Sequence, residues 1–154
     1  MSDALCCGQY HKNFQAPTAE ALMRSRYTAF CFGDFAYIDK TMREAARVGF
    51  NLKESQAWAK SVYWLGLTII EASDPKEDQT SAYVEFIARY MINNSIQAIH
   101  EKSEFKRIDG HWYYVSGIKP KNKHSPKTIK ISNNEPCPCN SLKKFKNCHG
   151  KSAP

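Results

Sequence analysis

Long apolar runs are missing from this chain of 154 residues, and no stretch approaches the roughly 20 residues that a membrane-spanning helix needs. Residues 1–10 carry no basic region followed by an apolar run, so no signal peptide is expected, and a reducing cytoplasm is the expected setting. Six cysteines are too few for a disulfide-dense fold. No glycine-rich phosphate loop, serine–histidine–acid set or acidic metal cluster stands out. These absences make catalysis the lesser expectation. Acidic residues are also scarce at one end. From Lys119 onward, nine lysines face Glu135 alone, a surplus of eight, while the rest of the chain has thirteen basic and fourteen acidic residues. The body is nearly neutral and the tail is basic, which favours acidic proteins, nucleic acid or anionic surfaces as partners. Arginine and aromatic residues are sparse in that tail, with Phe145 the one aromatic after Tyr114, so a base-stacking platform is poorly supplied.

What the tail does have is a ligand cluster. Cys137-Pro138-Cys139 is followed after eight residues by Cys148-His149. Three sulfurs and one imidazole complete a tetrahedral zinc shell and leave no open position, so the expected role is structural. Lys143, Lys144 and Lys146 lie between the ligand pairs, and cations beside thiolates favour deprotonation and metal binding. Ser141 is expected to cap a short helix that returns the chain to Cys148, and Phe145 to cover the site. Cys6-Cys7 near the start look like the closing half of a second such motif without its opening half.

A body precedes the tail, and hydrophobic content of 42% suffices for an ordinary core. Thr18 caps a helix with Met23, Tyr27 and Phe30 at helical spacing, stopped by Gly33. Asp34 caps a second helix with Phe35, Ile38, Met42 and Ala45 on one stripe, and Gly49 ends that region. Residues 51–61 form a weaker third helix. The period then becomes extended. Strands are expected over 62–72, 80–92, 95–108 and 111–118, with hairpin turns at Asn93-Asn94 and Asp109-Gly110. Helices followed by an antiparallel meander mean an α+β domain with helices on one face of the sheet. Residues 119–136, rich in lysine and proline, read as a mobile linker.

Two resemblances follow from these residues. Cys137-Pro138-Cys139…Cys148-His149-Gly150 with its interior Lys143-Lys144-Phe145-Lys146 resembles the SEC-C motif that ends the SecA translocase ATPase and meets the acidic chaperone SecB. Where that motif usually reads Gly-Ser-Gly, this chain has Asn140, Ser141 and Leu142. The body blocks Leu22-Met23-Arg24-Ser25-Arg26-Tyr27, Trp64-Leu65-Gly66-Leu67-Thr68, Val84-Glu85-Phe86-Ile87-Ala88-Arg89, Glu101-Lys102-Ser103-Glu104-Phe105 and Gly110-His111-Trp112-Tyr113-Tyr114 look like the bacterial YchJ family. That resemblance implies a cystatin-like cone similar to nuclear transport factor 2, and often SEC-C motifs at both ends. It gives a division into a partial N-terminal motif (1–16), a cystatin-like α+β domain (17–118), a basic linker (119–136) and a SEC-C module (137–150).

The leading functional expectation is a zinc-binding adapter. Its SEC-C module would dock on an acidic, SecB-like protein through Lys143, Lys144 and Lys146. Two alternatives stand beside it: nucleic-acid binding through the lysine-rich tail, and an enzyme or small-ligand binder using the cone. Arg24, Arg26, Glu85, Arg89, His100 and Glu101 are the body's polar candidates, with Arg26, Glu85 and Arg89 the expected pocket set. Arg24 and Arg26 fall on different helix faces, so one of them points inward. His100 and Glu101 are strand neighbours that point to opposite faces.

Overall fold

The computed structural model describes residues 8–121 and 126–151, so Cys6 and Cys7 lie outside the described residues. Five helices come first: α1 (Gly8–Asn13), α2 (Ala19–Phe32), α3 (Phe35–Lys40), α4 (Glu44–Val48) and α5 (Leu52–Ser61). Strands β1 (Tyr63–Ala72), β2 (Ser81–Ile92), β3 (Ser95–Ile108) and β4 (His111–Ile118) then form an antiparallel meander in the order β1-β2-β3-β4. A short β5 (Ile129–Lys130) pairs with the first residues of β3, on the side opposite β2 and ahead of the stretch that β4 covers. This is the expected α+β architecture.

The helix starts follow the cap residues. Thr18 accepts from the Ala21 amide at 3.0 Å, Asp34 from Tyr37 at 3.1 Å and Asn51 from Glu54 at 3.1 Å, each satisfying an amide the helix leaves unpaired. Gly33 closes α2 at φ 78°, where a side chain would be strained. The expected second helix is divided. At Met42 the chain bridges Tyr114 of β4: Arg43 N–H donates to Tyr114 O at 3.0 Å, and Tyr114 N–H to Thr41 O at 2.9 Å. Those two bonds outcompete helix continuation, and α4 restarts with a new phase. Ala45 is consequently exposed, and Ala46 packs on the core instead.

The sheet is two-sided as its alternation predicts. Ala82, Val84, Phe86 and Ala88 of β2 are buried against the helices, while Tyr83 and Arg89 on the other face are exposed. Register shifts in β1, between Trp64 and Gly66 and between Ile69 and Glu71, bend the sheet around the helices. Leu22, Ala29, Tyr37, Ile38, Val84 and Phe105, each at 1% exposure or less, form the centre of the core.

The segment read as a mobile linker is anchored over its second half. Ile129 and Lys130 pair with Ile96 and Ser95, and Ile131 N–H donates to Asn94 O at 2.7 Å. Ile131 packs with Met91, Cys137 and Phe145 in a second, smaller cluster that Leu65 and Ile96 border. The tail is thereby attached to one end of the sheet. Its lysine and proline content hid this, because two isoleucines are a weak strand signal and their partner lies far away in sequence.

Candidate metal centre and cone cavity

Backbone bonds shape the cysteine loop before any ion is considered. Cys137 N–H donates to Lys143 O at 2.8 Å, Phe145 N–H to Glu135 O at 2.8 Å and Lys146 N–H to Asn133 O at 3.0 Å. These bonds fold residues 133–146 into a tight loop. A single turn of 3-10 helix, Phe145–Asn147, then brings Cys148 and His149 back. Ser141 does not cap that turn: its hydroxyl donates to Cys148 Sγ at 3.4 Å and accepts from the Lys143 amide at 3.4 Å. Asn140 and Leu142 have φ of 62° and 63°, the left-handed region that explains why the motif usually carries glycine at both positions. Gly150 is required for a different reason. A Cβ there would come within 2.6 Å of the Phe145 ring, which at 2% exposure is the plug of the loop.

The result is one donor cluster. One atom each from Cys137, Cys139, Cys148 and His149 lie within 4.8 Å of one another. Cys139 Sγ and Cys148 Sγ are 3.6 Å apart, and His149 Nδ1 is 3.2 Å from Cys137 Sγ and 3.3 Å from Cys148 Sγ. A tetrahedral ion with metal–sulfur bonds near 2.3 Å and metal–nitrogen bonds near 2.0 Å has edges of about 3.5–3.8 Å. The spacing therefore fits a metal ion with little movement. The ligands differ in environment. Hydrogen bonding from Ser141 is the largest influence on the Cys139 thiol and pulls it down to about 6, whereas burial pushes the Cys137 thiol up. Lys143, Lys144 and Lys146 are all exposed around this loop, and Leu142 between them is 96% exposed. The His149 ring lies 4.5 Å from that of Tyr63, so β1 touches the cluster directly.

The sequence matches the same two parts. Residues 18–117 match the family model described as YchJ, middle NTF2-like domain, and residues 134–151 match the SEC-C motif. The chain belongs to the YchJ family. A UPF0225 protein of Geobacter sulfurreducens is 42% identical over 88% of this chain and 83% of its own length. Another, from Photorhabdus laumondii subsp. laumondii, is 40% identical over 94% and 91%. A SEC-C motif containing protein from Rhodopseudomonas palustris, solved in solution, superposes with a TM-score of 0.69 at 32% identity, covering 78% of this chain and 93% of that one. A crystal structure of a SEC-C motif containing protein from Psychrobacter arcticus superposes with a TM-score of 0.67 at 33% identity, covering 97% and 86%. No helix among the described residues is long and apolar enough to cross a membrane.

The YchJ-type body holds a second feature, a cavity of about 380 Å³ between helices and sheet. Arg26 lines it, whereas Glu85 and Arg89 are not among its lining residues. They project from the opposite face of β2: Arg89 is exposed, and Glu85 meets His100 Nε2 at 2.7 Å. Of the two helix arginines, Arg24 points out and pairs with Glu20 at 2.8 Å, while Arg26 is buried. Arg26 Nη1 donates to Ile38 O at 3.0 Å and Thr41 Oγ1 at 2.5 Å, and its guanidinium lies 4.9 Å from the centre of the Tyr114 ring. Burial lowers its pKa to about 10, so it keeps its charge at neutral pH. Glu101, the inward neighbour of His100, lines the same cavity and accepts from Tyr114 at 2.8 Å and Ser103 at 2.7 Å, both through Oε1. Sequence reasoning missed Tyr114, Ser103 and Trp64 as lining residues. One signal was available: Gly117 inside a strand marks close approach, and a Cβ there would stand 2.1 Å from Glu101 Oε1.

Proposed function

We propose that the chain is a zinc-dependent protein-interaction adapter whose metal loop docks on an acidic protein surface, a SecB-like chaperone being the model partner. The observation that carries this reading is the closed Cys3His cluster rimmed by exposed Lys143, Lys144 and Lys146. Zinc is the ion this donor set suits, because it combines soft thiolates with imidazole in a four-ligand shell. With every ligand position taken by protein, the ion's work is structural. Three thiolates outweigh a divalent ion by one charge, so the tail's surplus of eight falls only to seven. Encounter with an acidic partner should be fast and should weaken as salt screens exposed charge. Thiolate ligands also suit a reducing cytoplasm, the setting proposed for the protein.

Salt alone does not separate this from nucleic-acid binding, which is salt-sensitive too. Metal dependence does. A folded knob needs its ion, whereas loose lysines touch phosphate without it. Capture of purified SecB-like chaperone and of duplex DNA should therefore be compared at matched salt for wild type, Cys148→Ser and the triple Lys143, Lys144, Lys146→Ala variant. The expected outcome is protein capture by wild type alone. Capture that survives Cys148→Ser, or retention of DNA only, would overturn the adapter reading.

A further inference from the structure

The cone cavity is apolar around most of its wall and polar at one end. Trp64 meets Tyr27 and Trp58 edge-on, at 81° and 79° with centroids 5.5 Å apart, so the aromatic wall has flat faces set at right angles. All three rings line the cavity. The polar end is built from Arg26, Glu101, Tyr114 and Ser103. Tyr114 joins the two charges: its ring lies under the guanidinium and its hydroxyl donates to Glu101 Oε1. Arg26 uses Nη1 for both of its hydrogen bonds, and Glu101 uses Oε1 for both of its own. Among the described residues, the indole Nε1 of Trp64 is buried without a partner. Buried polar groups in a native protein normally find one.

We propose that this cavity binds a neutral, planar aromatic molecule carrying a lactam or amide edge. The chemistry follows from the wall. One buried cation and one carboxylate share the polar end, so an anionic ligand would meet Glu101 and a cationic one Arg26. A neutral edge with a donor beside an acceptor satisfies both, giving its N–H to Glu101 and its carbonyl to Arg26. The perpendicular rings accept a flat body by stacking and edge contacts. A volume of about 380 Å³ lies at the lower end of the roughly 300–1,000 Å³ range of small-ligand pockets, which suits one small ring system and not a peptide or acyl chain. Gly117 keeps the geometry open, because any larger residue there would displace the Glu101 carboxylate. The site lies within the cone and is independent of the adapter reading.

Quinolin-2-one is a suitable probe because it is neutral and flat and has a lactam edge. Naphthalene has the same two-ring body without that edge. The readout is the Trp64 indole N–H resonance of the full chain in nitrogen–proton NMR. Quinolin-2-one should shift it saturably and bind at least tenfold more tightly than naphthalene. Glu101→Gln should weaken quinolin-2-one about tenfold, because a bond to a charged acceptor is stronger than one to a neutral acceptor. Naphthalene binding should be unchanged. Where Glu101→Gln impairs folding, Gly117→Ala carries the comparison, since it moves the carboxylate without removing it. No saturable shift with quinolin-2-one, equal affinity for both probes, or a lactam preference that survives both substitutions would overturn the proposal.

Discussion

The cone buries Phe105, Val84 and Ile38 completely and Tyr37 to 1% exposure, whereas the cysteine loop hides one large side chain, Phe145, at 2%. The first region has enough apolar surface to offset the entropy of ordering its chain; the second does not. Loop residues 132–136 and 140–144 are exposed throughout. What the loop lacks in core it has in ligands, and a structural ion contributes folding energy only to the module that binds it. The two regions are nevertheless joined, because Met91 of β2 packs with Ile131, Cys137 and Phe145. One small protein thus sets a packed core beside a donor cluster that could hold an ion, with an apolar seam between them.

The largest expected effect is loss of the metal. Cys137→Ser should erase the dispersed amide signals of residues 133–150 while the body still unfolds in one cooperative transition, moved by a few degrees at most through exposure of the seam. Binding of a structural zinc is worth on the order of 10 kcal/mol to its module. A body that melts together with the tail would show that the seam, not the ion, dominates. The converse substitution is Phe105→Ala. It should cost the body about 3–5 kcal/mol in denaturant unfolding, with metal content unchanged while the body stays folded.

How much of this division was legible depends on where each cause lies. Thr18 and Asp34 act locally, and their side chains cap the helices that follow them. The alternation of β2 is likewise local, and the four residues of the donor cluster were legible from residue type and spacing. The break between α3 and α4 was not, because its cause is Tyr114, more than seventy residues away along the chain. Ile131 had no local sign of burial either, since its neighbours in space come from β2 and the cysteine loop. In the cavity, Arg26 could be chosen over Arg24 by helix phase. Glu85 and Arg89 were grouped with it through their shared strand face, but that face is the outer one. Which face of β2 meets the helices is a tertiary fact.

The body should also respond to alkali. Burial holds the phenols of Tyr27 and Tyr114 well above the ordinary tyrosine range, with the Glu101 charge adding to the effect at Tyr114. Their folded pKa values exceed the unfolded value near 10, so the folded state retains protons that the unfolded state releases. Stability from these groups is intact below about pH 10 and is lost as pH rises through the folded values. Absorbance titration at 295 nm should show at least two of the eight tyrosines, Tyr27 and Tyr114, ionising late, together with unfolding. Early and complete ionisation of all eight would contradict their burial.

A smaller effect is expected at Leu142, which occupies a left-handed backbone position with its side chain 96% exposed. Leu142→Gly should relieve strain and stabilise the metal-bound loop by roughly 0.5–1 kcal/mol, read as slower ion release to a chelator. Faster release would show that the leucine supports the loop through contacts of its own. The smallest effect belongs to the exposed Arg24–Glu20 pair, where Glu20→Ala should change stability by under about 0.5 kcal/mol.

The most direct measurement is elemental analysis of protein purified from zinc-replete medium, made on wild type, Cys148→Ser and the Cys6→Ser, Cys7→Ser double variant. The expected result is one zinc per chain in wild type and in the double variant, and none in Cys148→Ser. Wild-type protein that holds no zinc yet keeps an ordered cysteine loop would contradict the claim that the ion, and not a core, organises this end of the molecule.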